Sequence, residues 1–383
     1  MVEQGTHKPC VGSSILSAAN STPKGARPLL ALNVKGAWPL LTFESMELLS
    51  QVSQTLLKYK MLISNERVLI ACSGGADSVA LLHVLKELAP RLKIRLHLLH
   101  FDHALRRTSA RDLEFVKKMA CRYRIPFHGG RRKVLRGAAA KNQSPEERAR
   151  EIRYEFFEKV AQKTGIRKIA LAHHRDDQAE TVLMRVIQGT GLRGLQGIRP
   201  VVRKKKITYI RPFIETGRTE IRAYLKKNKI AFREDPTNQS FQFLRNRIRG
   251  LLLPLIEKKF NPRIREALAH LAETATAESS GFDEWVEENW KTYLKSRAHG
   301  TLWLERERFL ALPPPLQFRL LNRIVGVLDP QSGIDFRSWK RIENRLADGK
   351  LRMSLPRNLD FKLTPKKLFV RKSVTMKTVS GQV

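Results

Sequence analysis

The run Ile70-Ala71-Cys72-Ser73-Gly74-Gly75-Ala76-Asp77-Ser78-Val79-Ala80-Leu81-Leu82 sets a glycine-containing turn between an apolar segment and an amphipathic one. That junction restricts the chain to few folds. Val68, Leu69, Ile70 and Ala71 form a short uninterrupted apolar run, the pattern of a strand buried on both faces of a parallel sheet. Val79, Leu82, Leu85 and Leu88 follow at helical spacing. Gly74 and Gly75 allow positive φ and close backbone approach, and the unpaired N–H groups of a new helix attract an anion. Ser73 and Ser78 add hydroxyl donors on either side of Ala76 and Asp77. The aspartate is the odd member, because a carboxylate beside a phosphate is repelled unless a divalent cation lies between them. The loop therefore reads as a nucleotide-phosphate site that uses magnesium, against the bland alternative of a serine-glycine turn capping a core helix.

From residue 46 the pattern alternates between the two periodicities. A helix near 46–60 precedes the strand at 67–72 and the helix after the loop; a strand over Arg95 to Phe101 and a helix over Asp112 to Tyr123 follow. A helix over Ser144 to Thr164 opens with Ser-Pro-Glu-Glu, a good N-terminal signature, and leads to a strand over Lys168 to Ala172. Strands separated by helices imply a parallel sheet with right-handed crossovers, whose ligands collect at the strands' carboxyl ends. Three polar clusters, at 73–78, 100–106 and 173–180, fall at such ends. From Pro262 the character changes to longer amphipathic helices through about residue 325 and then short alternating pieces, Leu351 to Leu355 and Leu368 to Arg371. The expected organisation is an extension of low order over 1–45, with Met46 a second plausible start, an α/β domain over 46–261 and a smaller helix-rich α+β domain over 262–383.

The clusters carry the chemistry. In Ala172-His173-His174-Arg175-Asp176-Asp177-Gln178-Ala179-Glu180, Asp177 and Glu180 are three apart and share a helix face, so both can reach one cation or one cationic substrate group. Acids there could equally compensate the helix dipole. His100, Asp102, His103 and Arg106 stand at a strand end beside the loop and read as nucleotide-contacting; Gly189 and Gly191 offer close backbone approach; Arg150 and Arg153 share one side of a helix; Arg245, Asn246, Arg247 and Arg249 form a basic run. Each has a bland reading as loop, connector or solvated face.

Lys+Arg total 72 against 36 Asp+Glu, a formal charge of +36. So large an excess repels itself in the compact state and makes sense beside a polyanion, nucleic acid foremost. No apolar run reaches the roughly 18 residues of a membrane span. Cys10, Cys72 and Cys121 are widely separated and form no C-x-x-C, which fits a reducing, cytoplasmic compartment without disulfides.

The hexapeptide Ser73 to Ser78 resembles the PP-loop of the ATP pyrophosphatases. In order, Ser73–Leu82, His100–Arg106, Arg150–Phe156, Ala172–Gly194, Arg211–Pro212, Asp235–Asn238 and Arg245–Pro262 resemble tRNA(Ile)-lysidine synthetase. Longer members of that family continue into a further C-terminal domain. The resemblance implies adenylation of oxygen 2 of the first-anticodon-position cytidine in tRNA(Ile) with a CAU anticodon, then attack of free L-lysine on carbon 2 with loss of AMP. It implies ATP and Mg2+ as cofactors, with the metal on Asp77 and Asp177. The nucleotide would lie on Ser73, Gly74, Gly75, Ala76, Asp77, Ser78, His100, Asp102, His103 and His173. Asp77, Asp177 and Glu180 would be catalytic, with Asp177 or Glu180 binding the lysine ammonium or taking its proton. Arg106, Arg150, Arg153, Gly189, Gly191, Arg245, Asn246, Arg247 and Arg249 would face tRNA. Two rivals stay open: a tRNA thiolase on the same fold, with Cys72 as the sulfur carrier, and a basic RNA-binding protein without catalysis. A homodimer is compatible with all three.

Overall fold

A computed structural model describes residues 43–102, 109–132, 145–234, 241, 243–298, 301–329, 333–346, 350–355 and 358–373. Helix α1 (Phe43–Lys58) leads into β1 (Arg67–Ala71), whose Val68, Leu69 and Ile70 are fully buried, and the chain then enters α2 (Ala76–Leu92). Next come β2 (Arg95–Asp102), α3 (Ser109–Arg122), β3 (Phe127–Arg131), α4 (Pro145–Thr164), β4 (Lys168–Ala170) and α5 (Arg175–Ile187). Short α6 (Leu192–Leu195) precedes the hairpin β5 (Val201–Lys204) and β6 (Ile207–Ile210).

These strands form one six-stranded sheet in the order β3-β2-β1-β4-β6-β5, parallel except for β5. From β1 the chain adds β2 and β3 on one side, then crosses to add β4 on the other. The order reverses between β1 and β4, which opens a crevice at their carboxyl ends. The helices that follow these two strands carry Asp77 and Asp177 in their first turns. The basic stretch Arg203 to Lys206 is the end of the edge strand β5 and its turn, with Lys205 at φ 53. Exposed charge suits an edge, since it discourages pairing with another chain.

After α7 (Arg218–Lys227) come α8 (Leu244–Arg247), a π-helical turn (Ile248–Leu252), α9 (Leu253–Lys259) and the long α10 (Ile264–Tyr293). Leu268 and Ala272 of α10 pack with Ala179 and Val182 of α5 and with Ile248 and Leu253. Beyond α10 the expectation of continuous helices fails. A hairpin intervenes, β7 (Leu294–Ala298) and β8 (Thr301–Glu305), because the alternation Leu302, Leu304 buries one face of a strand. The chain closes with α11 (Arg306–Leu310), α12 (Pro314–Leu328), α13 (Phe336–Arg345), β9 (Leu351–Leu355), β10 (Leu359–Leu363) and β11 (Lys367–Lys372). The two alternating pieces seen in the sequence are β9 and β11. A five-stranded antiparallel sheet, ordered β7-β8-β11-β10-β9, results, and its apolar face packs on α12 and α13.

Among the described residues no helix is long and apolar enough to cross a membrane.

Candidate active site

The loop after β1 is built around one hydroxyl. Ser78 Oγ accepts from the Ser73 amide at 3.1 Å and donates to the Gly75 carbonyl at 2.9 Å, so its hydroxyl shapes the turn instead of facing out. Gly74 takes φ +91, a conformation that a side chain would strain. Its carbonyl accepts from the Arg233 amide at 2.9 Å, which pins the loop to the segment after α7. Gly75 caps α2 with extended backbone, leaving the first-turn N–H groups at Ala76 to Ser78 without partners from their own helix. They are the amides that the sequence analysis assigned to an anion.

Asp77 opens α2, and its Oδ1 is buried with no hydrogen-bond partner. Its Oδ2 lies 3.7 Å from His174 Nε2. The same nitrogen is 3.5 Å from Asp177 Oδ2, so one imidazole sits between the two carboxylates. His174 is the N-cap of α5: its Nδ1 accepts from the Asp177 amide at 3.3 Å, while Asp177 Oδ2 accepts from the His174 amide at 3.1 Å. With Nδ1 accepting, the neutral ring carries its proton on Nε2, facing the acids. Burial disfavours charge on this ring, but Asp77, Asp177 and Asp176 outweigh that and raise its pKa. His174 is the site residue that the sequence reading missed. Its signal was position, immediately before an acidic first turn.

His173, on the opposite face, accepts at Nδ1 from Arg211 Nε at 3.3 Å. Desolvation and the Arg211 guanidinium pull its pKa down to about 3, so it is a neutral acceptor. Arg211 itself is buried and donates to the Arg199 carbonyl at 2.7 Å.

The expected cation-binding pair, Asp177 and Glu180, is engaged by the chain's own guanidinium groups. Glu180, 1% exposed, accepts from Arg249 Nε at 2.6 Å and from Arg245 Nε at 2.9 Å, using both oxygens. Asp177 Oδ1 accepts from Arg245 at 3.0 Å and from Arg249 at 3.2 Å. Burial raises the pKa of Asp177, but His174 and Arg245 override it and the carboxyl is held below its usual range. Arg245 and Arg249 come four apart around the π turn and are aimed together at these acids. Arg247, between them in sequence, is exposed instead, and Asn246 is half-buried.

At the end of β2, His100 Nδ1 donates to the Cys72 carbonyl at 2.8 Å. Its Nε2 is therefore an acceptor, buried and without a partner. Burial also lowers its pKa and keeps the ring neutral. Asp102 is buried and ion-paired with Arg131 at 3.2 Å. Arg150 and Arg153 are exposed on α4, with Arg150 over the Tyr154 ring at 5.6 Å. Gly189, at φ +74, and Gly191 both face open space, where an added Cβ would meet nothing. His103, Arg106 and the Asp235–Asn238 turn lie outside the described residues.

Fold and loop together define an ATP-binding domain of the PP-loop class, and residues 46–256 match the family described as "PP-loop domain". A U34-tRNA thiolase from Methanococcus maripaludis, solved with its [4Fe-4S] cluster, shares the fold at TM-score 0.52 and 19% identity, over 60% of this chain and 78% of that one. Curated relatives are more specific. The tRNA(Ile)-lysidine synthase of Clostridium acetobutylicum is 39% identical over 64% of this chain and 53% of its own length, and that of Thermotoga maritima 42% over 55% and 50%. The chain thus spans about half the length of these relatives. Against the tRNA(Ile)-lysidine synthase of Chlorobaculum tepidum it is 34% identical over 77% of this chain and 93% of the relative. The chain belongs to the tRNA(Ile)-lysidine synthase family.

Proposed function

We propose that the protein uses ATP to join free L-lysine to carbon 2 of the first-anticodon-position cytidine of tRNA(Ile) with a CAU anticodon, through a cytidine adenylated at oxygen 2. The observation that carries this reading is the buried, unpartnered Oδ1 of Asp77 in the first turn of α2, on a carboxylate whose other oxygen shares His174 Nε2 with Asp177. An acceptor-only oxygen there suits a cation, and two carboxylates are the protein share of a magnesium site completed by phosphates. When bound, Mg2+ would neutralise charge developing on the departing pyrophosphate.

The chain's residues divide the remaining work. The first-turn amides of α2 hold the pyrophosphate. His100 Nε2, a fixed acceptor, takes a hydrogen bond from a nucleotide hydroxyl or amino group. Glu180 acts as the anchor that orients Arg245 and Arg249 toward the crevice, and these stabilise negative charge at the phosphorus under attack. Asp177, with one carboxylate edge kept on His174, takes the proton that the incoming lysine amine sheds. Arg150, Arg153 and Arg247, all exposed, meet RNA phosphates. A cytoplasmic location follows from this substrate. The domain division at 261 is proposed on the same basis, with 262–383 holding the tRNA body.

The decisive experiment incubates the protein with ATP, lysine and the CAU transcript and weighs the digested nucleosides. A lysine-dependent mass gain on one cytidine is expected; its absence, with pyrophosphate still unreleased, overturns the proposal. The thiolase reading is disfavoured by Cys72, which is buried and whose thiol is pushed up by that burial, the reverse of a reactive cysteine. Cys72→Ala should retain activity, and its loss in a folded protein would revive sulfur transfer.

A further inference from the structure

Phe241 and Phe243 are 52% and 46% exposed, although they border the most polar part of the molecule. Phe243 immediately precedes α8, two residues from Arg245, in extended backbone with φ −93 and ψ 138. Phe241 lies against the π turn: a Cβ added to Gly250 would come 2.6 Å from its ring. One side of that ring therefore rests on bare backbone, next to Arg249. Leu251 and Leu255, one helical turn apart, are 56% and 51% exposed on the same stretch. Exposed aromatic rings so placed are unfavourable unless something covers them.

The surroundings say what kind of cover fits. Arg247 projects to solvent between the two arginines that bind Asp177 and Glu180, and Lys258 and Lys259 close α9. With a formal charge of +36 on the chain, a polyanion is the favoured occupant, and one that also offers apolar faces is a single-stranded nucleic acid. We infer that Phe241 and Phe243 form a stacking platform for unpaired bases of the RNA substrate, splaying the anticodon loop beside the acids while Arg247 meets its backbone. Sequence-specific RNA recognition works on such splayed bases stacked on aromatic side chains. The glycine at 250 serves this by leaving room for the Phe241 ring to approach the turn closely. The inference rests on the proposed RNA substrate but not on the proposed chemistry.

The test uses a synthetic anticodon stem-loop with the fluorescent base 2-aminopurine replacing the adenine of CAU, without ATP or lysine. Full-length protein is expected to quench the fluorescence. Phe241→Leu with Phe243→Leu keeps the apolar volume but removes the π-faces, so affinity should fall on the order of 10-fold and quenching should disappear. Phe241→Tyr with Phe243→Tyr should restore both, while ATP affinity stays constant throughout. Ultraviolet cross-linking of the unaltered complex, with peptide mass analysis, should find the RNA on the peptide containing these rings. Equal quenching by the Leu and unaltered proteins, or a cross-link elsewhere, overturns the inference. So does a Leu variant that changes only the oligomeric state in sedimentation, which would make the patch a self-association surface. If quenching depends on the phenyl rings but no lysine-bearing nucleoside forms, the platform stands and the ligase reading fails.

Discussion

In the parallel sheet, buried polar chemistry gathers at one edge: among the described residues, every buried charged or imidazole side chain, His100, Asp102, His174, Glu180 and Arg211, lies at or just past a strand's carboxyl end. Around the antiparallel sheet the interior is apolar. Phe309, Leu320 and Leu321 of the helices and Phe361 and Leu368 of the strands are fully buried, and the buried amide of Gln317 is satisfied by the carbonyls of Leu310 and Leu312 at 3.3 and 2.7 Å. The first region tolerates polar groups because the topological switch opens a crevice in which opposite charges satisfy one another. The second closes on itself and stabilises by apolar burial. Chemistry and stability thus sit in different halves, and substitutions can probe that separation.

The largest effect is expected at Asp77. Asp77→Asn removes the carboxylate charge while keeping its shape, and pyrophosphate release should fall by on the order of 1000-fold or more, with tRNA affinity nearly unchanged. Filter binding alongside the kinetic assay checks this; a comparable loss of RNA binding would overturn the assignment of Asp77 to a metal on pyrophosphate. Glu180→Ala leaves two guanidinium groups in a crevice with only Asp177 as partner. Breaking a buried pair costs about 4 kcal/mol, read as a lower urea midpoint at constant m-value. A loss under about 1 kcal/mol would show that water already screens these arginines.

Leu368→Ala tests the other half. A fully buried strand residue is lost at about 3 kcal/mol, while the residual folded protein should bind ATP normally. Weakened ATP binding at temperatures well below the transition would break the separation. The smallest effect belongs to Asp335, whose Oδ1 accepts from the Ser338 amide at 2.7 Å as the N-cap of α13. Asp335→Ala should cost about 1 kcal/mol. That backbone hydrogen bond holds the carboxyl below its ordinary value, so the charged form is favoured in the folded state. Its contribution is present above the unfolded pKa, roughly 3.9, and is lost as pH falls through the folded one. The gap between Asp335→Ala and the unaltered protein should accordingly close below about pH 4, and a gap independent of pH would mean that the cap acts through packing.

Local patterns made the parallel sheet legible. The apolar run at 68–71, the hexapeptide at 73–78 and the helical spacing after it depend on neighbours in sequence, and each became the expected element. The hairpins β5–β6 and β7–β8 were not seen, since lysines on an edge strand and a short alternation after a long helix carry no strand signal until a partner strand is known. Of the site, Asp77, Asp177 and Glu180 were legible as carboxylates at strand ends. His174 was passed over for His173, because adjacent residues differ only in the face they turn, and sequence does not say which face meets the loop after β1.

The sequence by itself determined the glycine turn between β1 and α2, the alternation of strand and helix that follows it, and the excess of positive charge, all consequences of residue type and short-range spacing. Only the tertiary structure decided what the acids do. Glu180 and Arg249 are 69 residues apart in sequence and 2.6 Å apart in space, and that pairing exists because the π turn and α10 pack against α5. A carboxylate's role depends on the charge that reaches it through a low-dielectric crevice, which is a property of the packed molecule and not of its local sequence.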